Sequence, residues 1–158
     1  MTDISTKVPT KVLAKAPAKA DELFCFYVYS AAHVINRAYT PLLKPLGLTY
    51  PQYITLTLLW EEDGQSVGQL ANRLKMESST LTPLLKRLEK LGSVTRKRGI
   101  EDERQVFVSL TESGKALQEH APRITECLIS ATGLDMERLE VLVATLGELT
   151  ENLTADSG

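Results

Sequence analysis

The chain has little histidine and little cysteine. It has two histidines, His33 and His120, each isolated, so no metal-ligand cluster is expected and no cofactor is implied. Each reads as a surface or helix-packing residue. The two cysteines, in a chain expected to stay in a reducing cytoplasm, read more readily as free thiols, redox sensors or core residues than as a structural disulfide. No apolar run approaches the roughly 20 residues that span a bilayer. The opening MTDISTKVPTKVLAKAPAKA lacks the apolar core of a signal peptide, and residues 1–20 read as a disordered tail of loose basic character. There is no internal repeat. The net charge of −2 is too small to speak for or against a polyanionic partner.

What is present is enough for one domain: 158 residues, 43% of them hydrophobic, can bury a real core. The charge is unevenly placed. From Ser66 to Arg104 nine Lys/Arg stand against five Asp/Glu, whereas from Thr111 onward three stand against nine. A basic middle beside an acidic region is the footprint of a polyanion-binding face, although ordinary solvated faces give the same pattern.

The periodicity predicts a mainly α-helical fold with a small β-wing. Asp21 can cap a first helix from near Glu22, whose apolar stripe runs from Phe24 to Leu43, with Pro41 and Pro45 fraying its end before Gly47. Thr49-Tyr50-Pro51 opens a second helix, in which Trp60 reads as core. Ser66 caps a short third helix, and Ser78 or Ser79 caps a fourth with Leu81, Leu84, Leu85, Leu88 and Leu91 on its inner side. Gly92 stops it. Two strands follow, Val94–Arg98 and Gln105–Leu110, around the tip GIEDE. A fifth helix is expected from Glu112 to Ala131, interrupted by Pro122, and a sixth from Asp135 to about Leu153. The division is therefore a first dimerisation helix over residues 21–48, a winged helix-turn-helix core over 49–110, and C-terminal dimerisation helices over 111–154, in one intertwined unit. The long first helix has more apolar surface than so small a core requires, which points to packing against a second copy.

The third and fourth helices, joined by a tight turn, form a helix-turn-helix candidate for double-stranded DNA. Ser78, Ser79, Thr80 and Thr82 sit where a recognition helix reaches base edges, and the helix N-terminus attracts phosphate. Lys86 and Arg87 follow one to two turns on. Arg96, Lys97 and Arg98 give the first wing strand cations for phosphates or a narrow minor groove. Asp102 and Arg104, two residues apart at the tip, either fix the direction of the arginine or form an exposed ion pair worth ~0–1 kcal/mol.

The segments LTYPQYITLTLLWEEDG, TLTPLLKRLEKLG and EDERQVFVSLTESGKAL resemble the MarR family of winged-helix transcriptional regulators, over roughly Asp21 to Leu153. The wing signature D-x-R matches at Asp102-Glu103-Arg104. Within the family the chain is most similar to the organic hydroperoxide resistance regulators of the two-cysteine type, through the early cysteine in FCFYVYS. The resemblance implies a homodimer that binds a pseudo-palindromic operator and represses a hydroperoxide-detoxifying gene. It also implies that the cysteine is hydrogen-bonded by tyrosines four, fourteen and twenty-five residues downstream, and Tyr29, Tyr39 and Tyr50 stand at those offsets from Cys25. Tyr29 lies one turn from Cys25 on the same face. Tyr39 is ~21 Å further along a straight helix, so it can meet only the Cys25 of a partner.

Cys25 falls in the first turn of its helix, where the dipole favours a thiolate; Asp21 and Glu22 oppose this by charge. Its neighbours Phe24, Phe26 and Val28 alone would make it a buried, inert cysteine, and the tyrosine offsets argue otherwise. The same apolar neighbours suit organic hydroperoxides over hydrogen peroxide. By the resemblance, Cys25 is peroxidatic and Cys127 of the partner subunit resolves its sulfenic acid as an intersubunit disulfide; a plain core cysteine is the other reading of Cys127. Two further functions stay open. One is a MarR-type repressor released by a small aromatic ligand, the cysteines being incidental. The other is a thiol peroxidase, against which no active-site loop of the peroxiredoxin or glutathione-peroxidase type is found.

Overall fold

The computed structural model describes residues 19–155. The tail expected over residues 1–20 lies, but for its last two residues, outside them. The first helix, α1, spans Phe24–Leu43. It begins two residues later than expected because Asp21 and Glu22 belong to a separate 3-10 turn, Ala20–Glu22, and Leu23 is the N-cap without a side-chain bond. The Tyr27 hydroxyl donates to the Asp21 carbonyl at 3.0 Å and ties that turn back onto the helix. Pro41 removes one backbone donor, yet α1 runs past it to Leu43. Pro45 sits in a 3-10 turn, Lys44–Leu46, that ends at Gly47.

Helix α2, Tyr50–Glu61, opens with the Thr49 amide donating to Gln52 Oε1 at 2.8 Å. Its far end is closed by Gln65, whose buried amide donates to the carbonyls of Leu58 (2.8 Å) and Glu62 (2.6 Å). Trp60 is half-buried rather than fully enclosed, and its indole N–H donates to the Gly114 carbonyl at 3.0 Å.

Gln65 and Ser66 form a two-residue strand, β1, which the sequence did not signal because two residues show no alternation. It pairs with β3 (Val106–Leu110), which pairs with β2 (Val94–Arg98), giving an antiparallel sheet of order β1-β3-β2. Ser66 then caps α3, Val67–Leu74, in a capping box with Gln69. Helix α4 spans Ser78–Lys90, and its N-cap is Glu77, without a side-chain bond; Ser78 and Ser79 are its first helical residues, not its caps. Gly92, at φ 76°, ends it, and the Ser93 amide returns to the Leu88 carbonyl at 3.0 Å.

The C-terminal part differs most from expectation. The single helix expected from Glu112 to Ala131 is α5, Glu112–Ala116, a 3-10 turn, Leu117–His120, and α6, Ala121–Thr132. Pro122 does not interrupt a helix; it lies in the first turn of α6, where a missing N–H has no intrahelical partner to lose. Helix α7, Met136–Ala155, is the last of the described elements.

The core is the winged unit. Leu56 and Leu59 of α2, Leu70 of α3, Leu81, Leu85 and Leu88 of α4, Val94 of β2 and Val108 of β3 are almost fully buried, joined by Leu43 and Ile124 from the helices outside it. Helix α7 buries no residue and α1 only Leu43. Phe24, Val34, Val141 and Val143 all expose more than half of their surface. Among the described residues, no helix is long and apolar enough to cross a membrane.

Candidate nucleic-acid interface and thiol site

Helix α4 presents two faces. Leu81, Leu85 and Leu88 anchor the inner one. Ser78, Ser79, Thr80, Lys86 and Arg87 are exposed on the other, and Thr82 is half-buried with its hydroxyl donating to the Ser78 carbonyl at 2.8 Å. Neither Lys86 nor Arg87 has an ion pair among the described residues. Their charges are therefore uncommitted. A groove of about 520 Å³ runs between the starts of α3 and α4 and the wing, lined on the polar side by Ser66, Gln69, Ser78, Thr82, Arg96 and Arg104.

The wing cations divide into three kinds. Lys97 and Arg98 are exposed and have no ion pair among the described residues. Arg104 is also exposed, but Asp102 Oδ1 accepts from both its backbone amide (3.0 Å) and its Nε (3.1 Å), so the carboxylate orients the arginine. Arg96 differs from what its place in the sequence suggests. It is mostly buried against Glu89 of α4, whose Oε2 accepts from Arg96 Nη2 at 2.7 Å and Nε at 3.0 Å and whose Oε1 accepts from the Arg96 amide at 3.2 Å. The Arg96 side chain holds the Glu89 carboxyl below its ordinary range, chiefly through that hydrogen bond. Sequence reasoning missed Glu89. Its signal was the spacing of an acid one turn before the helix stop and an arginine four residues after it.

Both thiols are free and exposed in the single chain. Cys25 is the second residue of α1. Tyr29, one turn on, is exposed and packs edge-on against His33 at 4.4 Å. Tyr39 and Tyr50 come together: their rings stack at 4.3 Å with 21° between planes. Tyr53, which the sequence did not single out, lies 5.7 Å from Tyr39 and 5.8 Å from Trp60. Burial, followed by the neighbouring Tyr50 and Tyr53, pushes the Tyr39 phenol up to about 12. Burial also raises Tyr50 and Tyr53, the latter opposed by a hydrogen bond with Thr125 of α6. All three hydroxyls thus stay protonated at neutral pH and are able to donate. Cys25 and Tyr39 remain at opposite ends of α1, roughly 21 Å apart by helical rise, so one chain does not join them.

Cys127 lies on α6 beside a groove of about 320 Å³ lined by Leu42, Leu46 and Ile124 with His120 and Arg123 at its edge. Among the described residues no group of His, Cys, Asp or Glu is placed to hold a metal ion.

Residues 37–120 match the model of the family described as transcriptional regulator SarA/Rot. The organic hydroperoxide resistance transcriptional regulator of Bacillus subtilis is 42% identical over 135 residues, 85% of this chain and 92% of that protein. Among solved structures, reduced AbfR bound to DNA superposes with a TM-score of 0.68 at 35% identity, covering 82% of this chain and 89% of that one. The disulfide-formed state of AbfR, a Staphylococcus epidermidis protein, superposes with a TM-score of 0.56 at 36% identity, covering 83% and 87%.

Proposed function

The chain belongs to the SarA/Rot group of MarR-type winged-helix transcriptional regulators, and from that membership we propose a DNA-binding repressor that leaves its operator when organic hydroperoxide oxidises Cys25. The stacked pair Tyr39 and Tyr50 carries this reading. It is a set of protonated donors displayed on a chain whose own Cys25 cannot reach it. A second copy whose α1 crosses this one brings its Cys25 to them, and the exposed apolar faces of α1 and α7 are what such a pairing buries. Residues 21–48 and 111–154 then hold the dimer, and residues 49–110 meet DNA.

In the DNA-bound form the start of α4, with Ser78, Ser79, Thr80 and Thr82, lies in the major groove, while Lys86, Arg87, Lys97 and Arg98 contact phosphates. Arg104, aimed by Asp102, enters the minor groove. The relatives support the two halves of the proposal: a regulator of organic hydroperoxide resistance in one, DNA-bound and disulfide-formed states of AbfR in the other.

Oxidation proceeds in two balanced steps. The Cys25 thiolate attacks the terminal oxygen of ROOH, the O–O bond breaks, and the alkoxide takes a proton and leaves as ROH, so that Cys25 becomes a sulfenic acid. Cys127 of the partner subunit then attacks that sulfur; the S–O bond breaks, water leaves and a disulfide forms. Bridging requires Cα atoms within about 7 Å, and in this reading closing that distance moves the two recognition helices, which half-sites about one DNA turn apart do not tolerate.

The test treats reduced protein with near-stoichiometric cumene hydroperoxide, blocks free thiols and runs it without reductant beside Cys25→Ser and Cys127→Ser. A dimer-sized band in the wild type alone is expected. Monomer alone, with Cys25 still freely alkylated, would remove the thiols from the mechanism and put release by a small aromatic ligand first.

A further inference from the structure

The bond network between Glu89 and Arg96 joins two parts that the DNA reading treats separately, the recognition helix α4 and the wing. Glu89 sits on the last turn of α4 and Arg96 in the middle of β2, with the tight turn through Gly92 between them. The carboxylate takes both the guanidinium fork and the backbone amide of the same strand residue. A side chain that bonds only a guanidinium leaves the strand free to pivot; one that also holds the amide fixes the strand itself. Beyond Lys97 the backbone bonds of the wing are those of its own hairpin, among the described residues. The short β1 pairs only with Phe107 and Val108, so the third strand ends level with Lys97 and the hairpin from Arg98 outward to Val106 has none.

We propose that the Glu89–Arg96 pair is a strut setting the angle of the wing against the recognition helix, with Arg96 a positioning residue and not a DNA contact. The inference rests on the DNA-binding reading above and deepens it. Two devices then act in series: Asp102 aims Arg104 within the wing, and Glu89 aims the wing.

The two readings of Arg96 predict opposite signs at Glu89. If Arg96 is a phosphate contact, Glu89 only competes with DNA for it, and removing a carboxylate beside a polyanion leaves binding unchanged or tightens it. If the pair is a strut, removing that carboxylate weakens binding, because the wing loses its angle and Arg104 its groove.

The experiment measures binding of the full-length reduced protein to a duplex of roughly 30 base pairs, recovered from a random-sequence pool by the wild type and long enough for two half-sites. Glu89→Gln is expected to bind about tenfold more weakly, comparable to losing one specific arginine contact. Arg104→Ala alone should bind about tenfold more weakly too, and adding it to Glu89→Gln should cause little further loss, since the same contact is already gone. Arg96→Lys keeps the charge but not the fork, and should bind as weakly as Glu89→Gln. Binding at or above the wild-type level in Glu89→Gln, with Arg104→Ala fully additive, would overturn the strut; if Glu89→Gln fails to fold, near-wild-type binding by Arg96→Lys overturns it equally. A wild type that retains no duplex from the pool would instead defeat the DNA reading itself.

Discussion

Tyr39 and Tyr50, from two different helices, stack ring on ring at 4.3 Å with their planes 21° apart. The packing removes water from both hydroxyls, and the charge that Tyr50 or Tyr53 would carry further opposes ionisation of Tyr39. The Tyr39 phenol is pushed up to about 12 for these reasons, and those of Tyr50 and Tyr53 are raised as well.

A stability prediction follows from the sign of that shift. An unfolded tyrosine ionises near pH 10, whereas folded Tyr39 keeps its proton to about 12. Between those values the folded chain binds more protons than the unfolded one, so stability falls as pH rises. The contribution is fully present below pH 10 and gone above the folded value. Thermal unfolding followed from pH 9 to 12 should decline more steeply in the wild type than in Tyr39→Phe. Parallel profiles would show that the cluster does not hold the phenol neutral.

The same hydroxyls make a kinetic prediction. A hydrogen bond to a charged group contributes about 1.5–3 kcal/mol, so losing a donor to the Cys25 thiolate should slow its reaction with cumene hydroperoxide by tenfold or more. Tyr39→Phe and Tyr50→Phe are each expected to do this, measured as the second-order rate of thiol loss. Tyr53→Phe is the control, since Tyr53 is turned into the core against Trp60. Equal slowing in all three variants would mean that packing, not donation, is being read.

Gly114 supplies a third prediction. A Cβ there would lie 1.9 Å from the Ser93 carbonyl oxygen, and the Gly114 carbonyl receives the Trp60 indole. Neither contact can give way cheaply, because Ser93 is fixed by its amide bond to Leu88 at the end of α4. Gly114→Ala should therefore destabilise by about 3 kcal/mol, the upper part of the range for overpacking. That corresponds to a Tm lower by roughly 10 °C for a chain of this size. Measurement at equal protein concentration is needed, since pairing of copies shifts Tm on its own. An unchanged Tm would place the turn elsewhere.

The sequence carried the architecture because the leucines of α4, the capping box at Ser66 and the stop at Gly92 are local signals, and local signals survive without a structure. It failed where the deciding partner is distant. Ser78 and Ser79 look like caps, but the chain enters α4 at Glu77. Strand β1 exists only because Phe107 and Val108 pass beside Gln65 and Ser66. Arg96 was expected to face DNA as a wing cation, yet it shares the side of buried Val94 and is drawn in by Glu89. The tyrosine offsets were legible, but not the stacking of Tyr39 on Tyr50 or the addition of Tyr53, which need α1 and α2 packed together.

The choice of oxidant is the last consequence. Cys25 is flanked by Phe24, Phe26 and Val28, each of which exposes more than two-fifths of its surface in the single chain. Paired α1 helices would turn those side chains into the walls around the thiol. Hydrogen peroxide gains nothing from such walls. A cumyl or fatty-acyl group that buries about 100 Å² against them gains roughly 2.5 kcal/mol at 25 cal/mol per Å², between ten- and a hundredfold in rate if the contact persists into the transition state. Cumene hydroperoxide should therefore oxidise Cys25 at least ten times faster than hydrogen peroxide. Phe24→Ser should narrow that ratio by slowing the organic oxidant alone. Equal second-order rates for the two oxidants in the wild type would mean that the apolar residues beside Cys25 serve only to hold two copies together.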